Sequence, residues 1–355
     1  YVSGGIVTTD GGLPTEATLQ LIDPCHGKIV KEIDPIVIGN TAPGAVFDIV
    51  EPNPDKLMMR SFIGAEQMWA RFDRNTQAFD LLATANGAPA TAGQFAMTSG
   101  GNGMTFGSGA TDPQASPWIV PVTLDGQNCG GAIVSFPGLS PGSRGRGIAA
   151  RGNDVWQVLQ TDVGQPDEGV RLAHYDATKC ATTAPCTCAP IDVTPPGTFV
   201  FDNVQYKQLN GISFHAYLFG DVVYLPGGAA NPGTPGDDVA YVLAYDTKQK
   251  QWLAPYTYQY GPLLEAIIGL ATDGQNLYGT GARGTTLTGN LRDGEALVHT
   301  IPLPFPTVGP VPGTVMPIPS LRVGWTIDVD GETLFASGWG GTSDKLVKCT
   351  KQACP

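Results

Sequence analysis

The feature that most constrains the fold is a phrase that returns about every fifty residues. In each copy an apolar stretch ends in a hydrophobe–Asp pair, and a short polar turn leads into a second apolar stretch. The aspartates of these copies are Asp23, Asp73, Asp125, Asp176, Asp246 and, in a looser copy, Asp293. By subtraction of these numbers, they are 50, 52, 51, 70 and 47 residues apart. A repeat of this length is typical of β-propeller blades and not of solenoid turns.

A second phrase runs in phase with the first and consists of an aromatic residue followed three positions later by glycine. Its copies start at Tyr1, Phe106, Tyr224, Tyr278 and Phe335, while Trp156 and Met58 occupy the same place without the glycine. Asp-Gly or Asn-Gly turns precede several of them, which indicates hairpins. We expect the glycine to permit a bulge or a close backbone approach, the aspartate to accept backbone hydrogen bonds, and the aromatic residues to pack between neighbouring sheets.

Together the two phrases predict four strands per repeat and seven repeats. The fold class is therefore all-β, a single seven-bladed β-propeller of four-stranded antiparallel blades that forms one domain over residues 1–355. The approximate blades are 1–35, 36–84, 85–137, 138–195, 196–258, 259–304 and 305–355. The first blade starts at its aromatic strand and lacks an inner strand. Either this blade has three strands, or another chain supplies the missing one.

Composition restricts the partners and the compartment. The chain has 20 Lys and Arg against 32 Asp and Glu, a net charge of −12. Such sparse cations cannot neutralise a row of phosphates, so we expect no nucleic-acid partner. No run of eighteen apolar residues occurs, so we expect no membrane insertion. The cysteine usage favours an oxidising, extracellular or periplasmic location, with any signal peptide already removed.

The unit "VVYLPGG…VAYVLAYDTKQKQWLAP" resembles the kelch repeat, with its double glycine, Tyr-Asp pair and late tryptophan in the same order. The segment "LQLIDPCHGKIVKEI" is similar to a phrase of quinoprotein-type and surface-layer-type bacterial propellers. The resemblance implies a propeller fold over most of the chain. It implies no catalytic residues.

The seven cysteines predict disulfides near outer turns. The segments "KCATTAPC" and "KCTKQAC" have similar spacing, and each could close a hairpin. The disulfide candidates are Cys180, Cys186, Cys188, Cys349 and Cys354, and the partner of Cys180 stays open. Because seven is odd, at least one thiol is free or intermolecular. Cys25 and Cys129 are the candidates for that thiol.

Few residues are candidates for chemistry, and we assign no catalytic, cofactor-binding or metal-binding residue. The four histidines are His26, His174, His215 and His299, and isolated histidines on strands usually pack. Calcium could use Asp328 with Asp330, or Asp237 with Asp238, although aspartates in hairpin turns commonly bond to the backbone. Three arginines form the one basic cluster, which we expect in a solvated loop: Arg144, Arg146 and Arg151.

Two functions follow from this inventory. The first is a secreted, non-catalytic propeller that serves as an interaction or structural module, with self-assembly as one form of that role; its partner is a protein or a copy of itself. The alternative is a calcium-dependent propeller hydrolase or lactonase. The polar residues expected on inner strands for such a site are Asp48, Glu51 and His215. We expect partner contacts at the long insertions 181–196 and 228–238.

Overall fold

The computed structural model of the chain is built from β-strands. It describes residues 2–6, 16–23, 28–33, 46–63, 66–84, 93–101, 104–110, 117–123, 144–161, 169–179, 190–194, 199–201, 204–206, 216–229, 239–259, 264–284, 294–342 and 344–355. Within these residues the only helix is a three-residue 3-10 segment, Ala177–Lys179. The helical content of the described chain is thus too short and too polar to cross a bilayer. The all-β prediction is confirmed.

The described residues group into two compact units, formed by residues 1–157 with 174–192 and by residues 158–173 with 193–355. The first unit contains three complete sheets. The first sheet has the order β1 (Val2–Ile6), β2 (Glu16–Asp23) and β3 (Lys28–Ile33). The second has the order β4 (Val46–Asn53), β5 (Lys56–Ile63), β6 (Glu66–Asp73) and β7 (Phe79–Thr84). The third consists of β8 (Gly93–Ser99), β9 (Met104–Ala110) and β10 (Pro117–Thr123).

A four-stranded sheet has residues in both units and consists of β11 (Arg144–Arg151), β12 (Asp154–Thr161), β13 (Gly169–Asp176) and β14 (Asp192–Val193). The second unit then begins with the hairpin β15 (Phe199–Phe201) and β16 (Val204–Tyr206). A five-stranded sheet follows, with β17 (Tyr217–Phe219), β18 (Val222–Ala229), β19 (Val239–Asp246), β20 (Gln251–Trp252) and β21 (Tyr256–Tyr258).

The last two sheets complete the second unit. The first of them has the order β22 (Leu264–Thr272), β23 (Asn276–Gly284), β24 (Glu295–Pro302) and β25 (Thr314–Ile318). The other has the order β26 (Val323–Asp330), β27 (Thr333–Trp339) and β28 (Asp344–Thr350). Neighbouring strands in both sheets are antiparallel.

The sheets are unequal, whereas the sequence predicts four strands in every blade except the first. Across the described residues, four sheets contain four or five strands, three contain three strands, and one is a two-stranded hairpin. In the five-stranded sheet the position beside β19 is shared by two short strands, because β20 and β21 both pair with β19. Pro255 lies between them and has no N–H to donate, which explains the interruption. The number of seven blades and the blade boundaries stay predictions.

The glycine of the second phrase faces a β-bulge in the first strand of its sheet. In β22, Ile267 pairs with Gly281 and Gly269 pairs with Thr280, so that Ile268 is an extra residue. A Cβ atom on Gly281 would lie 1.8 Å from the carbonyl oxygen of Ala266. The bulge brings the two backbones too close for any side chain, as the sequence predicts.

The same arrangement recurs in other sheets. Trp325 is the extra residue opposite Gly338, and Phe95 is the extra residue opposite Gly109. A Cβ atom on Gly338 would lie 1.9 Å from the carbonyl oxygen of Val323. The divergent copy at Met58 keeps the bulge and has Ser61 at this position. The glycine is therefore part of a structural device that recurs in three described copies, at Gly109, Gly281 and Gly338.

The aspartates of the first phrase organise the outer turns. The Oδ1 atom of Asp246 accepts the backbone N–H groups of Lys248 and Gln249 at 2.9 and 2.7 Å. Asp73 accepts the equivalent bonds from Asn75 and Thr76, and Asp176 accepts one from Thr178. These carboxylates close the turns, as predicted. Asp125 and Asp293 lie outside the described residues.

Aromatic and aliphatic side chains form the cores between successive sheets. One core of the second unit places Tyr224 from β18 and Tyr256 from β21 against Ile267 and Leu277 of the next sheet. Another places Tyr278 against residues of β26–β28, including Leu334 and Ala336. In the first unit, Leu19 of β2 packs on residues of the second sheet. The predicted packing of the phrase aromatics is confirmed for Tyr224 and Tyr278, which are 2% and 1% exposed.

Candidate functional site

The strand β3, at one end of its sheet, carries two exposed aliphatic residues. Within the described residues, β2 is the strand that pairs with it. Its first five residues, Lys28–Glu32, are all exposed, and we call them the edge surface. Ile29 and Val30 are 54% and 63% exposed. The edge surface therefore presents two aliphatic side chains beside a strand edge.

The edge surface also has features that restrict pairing. Leu21 pairs with Lys31 and Ile22 pairs with Ile29, so Val30 is an extra, bulged residue. A bulge and lysines are devices by which proteins prevent indiscriminate pairing at a sheet edge. Glu32 accepts a hydrogen bond from the Gln20 amide at 2.6 Å, and the Lys31 ammonium donates to the Gln77 side chain. These contacts hold the charged side chains in place on the strand.

His299 is a buried structural residue, as the sequence predicts for an isolated histidine. It is 2% exposed, and its Nδ1 atom lies 3.0 Å from the Tyr256 hydroxyl. The ring of Tyr258 meets the imidazole edge-on, with centroids 5.2 Å apart. Burial lowers the pKa of His299 to about 3, because the apolar surroundings disfavour the charged imidazolium. The folded protein holds this histidine neutral.

His174 packs on an aromatic ring in the sheet that begins with β11. Its imidazole is stacked on the Trp156 indole, with centroids 4.0 Å apart and planes 3° from parallel. Its Nε2 atom lies 2.9 Å from Oδ1 of Asp154. The imidazole of His174 therefore packs on Trp156, and its contact with Asp154 fixes the orientation of the ring. His26 and His215 lie outside the described residues.

The described acidic residues considered for calcium lie on two strands, β4 and β26. Asp328 accepts the backbone N–H of Val329 at 2.8 Å. Glu51 pairs with Arg74 at 2.6 Å, while Asp48 lies in β4 opposite Arg60. In the described ranges, no three His, Cys, Asp or Glu side chains come together as a metal-binding group. Asp237 and Asp238 lie outside these ranges.

The basic cluster differs from the sequence-based expectation of a solvated loop. Arg144, Arg146 and Arg151 all belong to β11, and Arg146 is only 7% exposed. Arg146 lies in a continuous buried stretch of the strand, residues 145–149, whereas Arg151 is exposed next to the following turn. A solvated loop is thus the wrong description of this segment.

Cys349 and Cys354 form a disulfide that closes a loop directly after β28. This agrees with the hairpin staple predicted from "KCTKQAC". The other candidates lie outside the described residues, and their pairing stays a prediction: Cys25, Cys129, Cys180, Cys186 and Cys188.

The closed loop carries an ion pair that the sequence analysis missed. The Lys351 ammonium lies 2.7 Å from Oδ2 of Asp273, in the turn between β22 and β23. Burial alone would raise the pKa of Asp273, but hydrogen bonds from Lys351, the Asn276 and Gln275 amides and Tyr278 hold it well below its usual range. The Asp273 hydrogen bond also raises the pKa of Lys351. Both groups are therefore charged at neutral pH.

Comparisons with known proteins identify the fold. No protein-family model matches the chain, and no curated protein sequence matches it significantly. A putative 6-phosphogluconolactonase from Bacteroides uniformis has 13% identity and a TM-score of 0.55 over 99% of this chain and 94% of that one. The Dos1 propeller has 12% identity and a TM-score of 0.50 over 94% of this chain and 73% of that one.

These likenesses establish that the chain has the β-propeller arrangement of antiparallel sheets. At such low identity they bear on the fold alone. The kelch-like and quinoprotein-like assignments stay predictions, because no family model supports them.

Proposed function

We propose that this chain is a seven-bladed, kelch-like β-propeller that acts outside the cytoplasm, in an extracellular or periplasmic setting, as a non-catalytic interaction or structural module. Its partner is a second copy of the chain, which docks on the edge surface Lys28–Glu32. The propeller arrangement of antiparallel sheets is the premise of this proposal. The observation that carries it is the exposure of Ile29 and Val30 on a strand that pairs on one side with β2.

Strand addition would use this surface in two ways. The outer backbone groups of β3 would donate and accept hydrogen bonds with an added strand, and the aliphatic side chains would add apolar contact area. Burying Ile29 and Val30 removes apolar surface from water, which is the dominant favourable term in most protein association. Within the described residues, no strand other than β2 pairs with β3.

Charge supports a second copy as the partner. The chain is acidic overall, with a net charge of −12, whereas the edge surface carries Lys28 and Lys31 against the single acid Glu32. A locally basic strand on an acidic protein is complementary to much of the surface of another copy. The bulge at Val30 restricts the partner to a strand that accommodates the extra residue, which favours a defined contact over open-ended aggregation.

We predict that the purified chain associates in a concentration-dependent manner and that the double substitution Ile29→Glu and Val30→Glu weakens this association at least tenfold, equivalent to about 1.4 kcal/mol. The added carboxylates would have to be desolvated in the contact. Sedimentation equilibrium at several concentrations measures the constant.

Val308→Glu is the matched control. Val308 is 80% exposed and lies outside the strands, between β24 and β25. This substitution should leave association unchanged. A wild-type chain that stays monomeric at every concentration tested would refute assembly through the edge surface, and so would equal weakening by both variants.

The calcium-dependent hydrolase is the competing hypothesis. The likeness to a putative lactonase supports it only through the shared fold. Our proposal predicts that the dialysed protein retains no stoichiometric divalent ion and that added calcium restores no ester or lactone hydrolysis. Elemental analysis together with a lactone-hydrolysis assay measures both quantities. Retained calcium with calcium-dependent turnover would replace the interaction role by an enzymatic one.

A further inference from the structure

The loop after β28 is folded tightly by its own hydrogen bonds. The disulfide joins Cys349, the penultimate residue of β28, to Cys354. Between them, the backbone N–H of Thr350 donates to the Ala353 carbonyl at 2.9 Å, and the Thr350 hydroxyl oxygen accepts the Ala353 N–H at 3.0 Å. The Lys351 N–H donates to the Glu332 carbonyl at 3.2 Å. The loop thereby fixes the backbone from which the Lys351 side chain extends.

Lys351 connects this loop to the preceding sheet. Its ammonium lies 2.7 Å from Asp273 Oδ2 and 3.7 Å from Glu332 Oε1. It also lies 5.7 Å from the centroid of the Tyr278 ring. The side chains of Lys351 and Asp273 are only 18% and 16% exposed, so water screens this pair less than an ordinary surface pair.

Asp273 organises the turn that receives the lysine. Its Oδ1 atom accepts the N–H groups of Gln275 and Asn276 at 2.8 and 2.7 Å. Its Oδ2 atom accepts the Tyr278 hydroxyl at 2.8 Å in addition to the lysine. The ion pair is therefore joined to the backbone of the β22–β23 turn. A change at Lys351 should be felt by the amides of Gln275 and Asn276.

The disulfide is open to a reductant. It lines a cleft together with Thr333, Lys348, Ala353 and Pro355. Cys349 is 2% exposed within the apolar core that contains Tyr278, whereas Cys354 is partly buried at the edge of that core. An incoming thiolate would therefore reach the sulfur of Cys354 more easily than that of Cys349.

We propose that the Cys349–Cys354 disulfide is a redox-controlled latch. In the oxidised form it seats Lys351 on Asp273 and fastens the sheet β26–β28 to the β22–β23 turn. A short loop of this kind constrains the unfolded chain less than a long-range bridge does, so its consequence is local. Reduction opens the loop and releases Lys351.

The reductant is a dithiol. One of its thiolates attacks Sγ of Cys354, the S–S bond breaks, and Cys349 leaves as a thiolate that takes up a proton. The second thiol of the dithiol then resolves the mixed disulfide and frees Cys354. Two electrons and two protons pass from the dithiol to the protein, and the dithiol becomes a disulfide. The side chain of Cys349 is 2% exposed in the apolar core, where a free cysteine packs as a small hydrophobic residue.

Amide hydrogen exchange measured by mass spectrometry tests the latch. With dithiothreitol, exchange in the segments 349–355 and 273–278 should rise about tenfold, because Gln275 and Asn276 lose the support of the ion pair. Cys354→Ser should show the same exchange without reductant. Lys351→Met should raise exchange in 273–278 while the disulfide is intact.

The coupling between the disulfide and the lysine decides the proposal. In Lys351→Met, dithiothreitol should loosen 349–355 and leave 273–278 with no further increase. Lys345→Met is the matched control, because Lys345 is an exposed lysine on the same strand, and it should behave as wild type. Unchanged exchange in 273–278 on reduction of the wild type would overturn the latch. The latch would also be overturned if reduction raised the exchange rate in 273–278 by the same factor in Lys351→Met as in the wild type.

Discussion

Replacing Gly281 by alanine will lower the free energy of unfolding by about 3 kcal/mol, at the upper end of the usual cost of overpacking. The new Cβ atom would lie 1.8 Å from the Ala266 carbonyl oxygen and 2.9 Å from the Ile267 Cα atom. Both atoms belong to the backbone of the bulged strand β22, so no side-chain rotation can relieve the clash. Urea unfolding followed by circular dichroism measures the loss. Gly338→Ala should cost a similar amount.

Gly331→Ala is the control for the conformational freedom of glycine. Gly331 lies in the turn between β26 and β27 with φ of 57°, and a Cβ atom there meets nothing within 4 Å. This substitution should cost only about 1 kcal/mol, the strain of a left-handed backbone. If Gly281→Ala is no more destabilising than Gly331→Ala, the close approach at the bulge is not what requires glycine.

Acidification from pH 7 to pH 5 will remove about 2 kcal/mol of stability through His299 alone. The pKa of this residue is lowered from 6.5 to about 3 by burial, so the unfolded chain binds the proton more readily than the folded one. The contribution of His299 to the free energy of unfolding is complete above pH 6.5 and is lost progressively as the pH falls towards 3. Unfolding in urea at a series of pH values measures it.

The variant His299→Gln should be less stable at pH 7 and should flatten the profile between pH 7 and pH 5, because glutamine does not titrate there. His174→Gln, which makes the same change at the residue stacked on Trp156, should retain the drop since His299 is still present. Parallel profiles of the wild type and His299→Gln would show that the buried histidine is not neutral by desolvation.

A further loss is expected below about pH 4 through carboxylates. Hydrogen bonds from Lys56 and the Thr76 amide lower the pKa of Asp73 from 3.8 to about 2. The stability from this outer turn is complete above pH 3.8 and is lost as the pH falls towards 2. The loss through His299 thus begins at a higher pH than the loss through Asp73, and the two overlap between pH 3.8 and pH 3.

The parts of the fold that sequence reasoning predicted are those in which one local requirement dictates one residue type. Gly281 and Gly338 recur because a bulge leaves no room for a Cβ atom. Asp73 and Asp246 recur because a short carboxylate can accept amides two and three residues ahead. Each of these requirements selects one residue type that recurs at a regular spacing in the sequence.

The parts that were missed depend on contacts between distant residues. The ion pair of Asp273 and Lys351 joins positions 78 residues apart, and no local sequence signal links the two residues. The bulge at Val30 depends on the register between β2 and β3, which alternation alone does not specify. Arg146 was expected in solvent for a related reason, since a run of Gly and Arg resembles a loop but pairs here as β11.

The most direct test of the central claim is an experimental structure of the purified chain, by crystallography or cryo-electron microscopy, that counts its sheets. We expect seven antiparallel sheets arranged about one axis, with a bulge opposite Gly281 and another opposite Gly338. A different number of sheets about the axis, or two sheets stacked face to face, would contradict it.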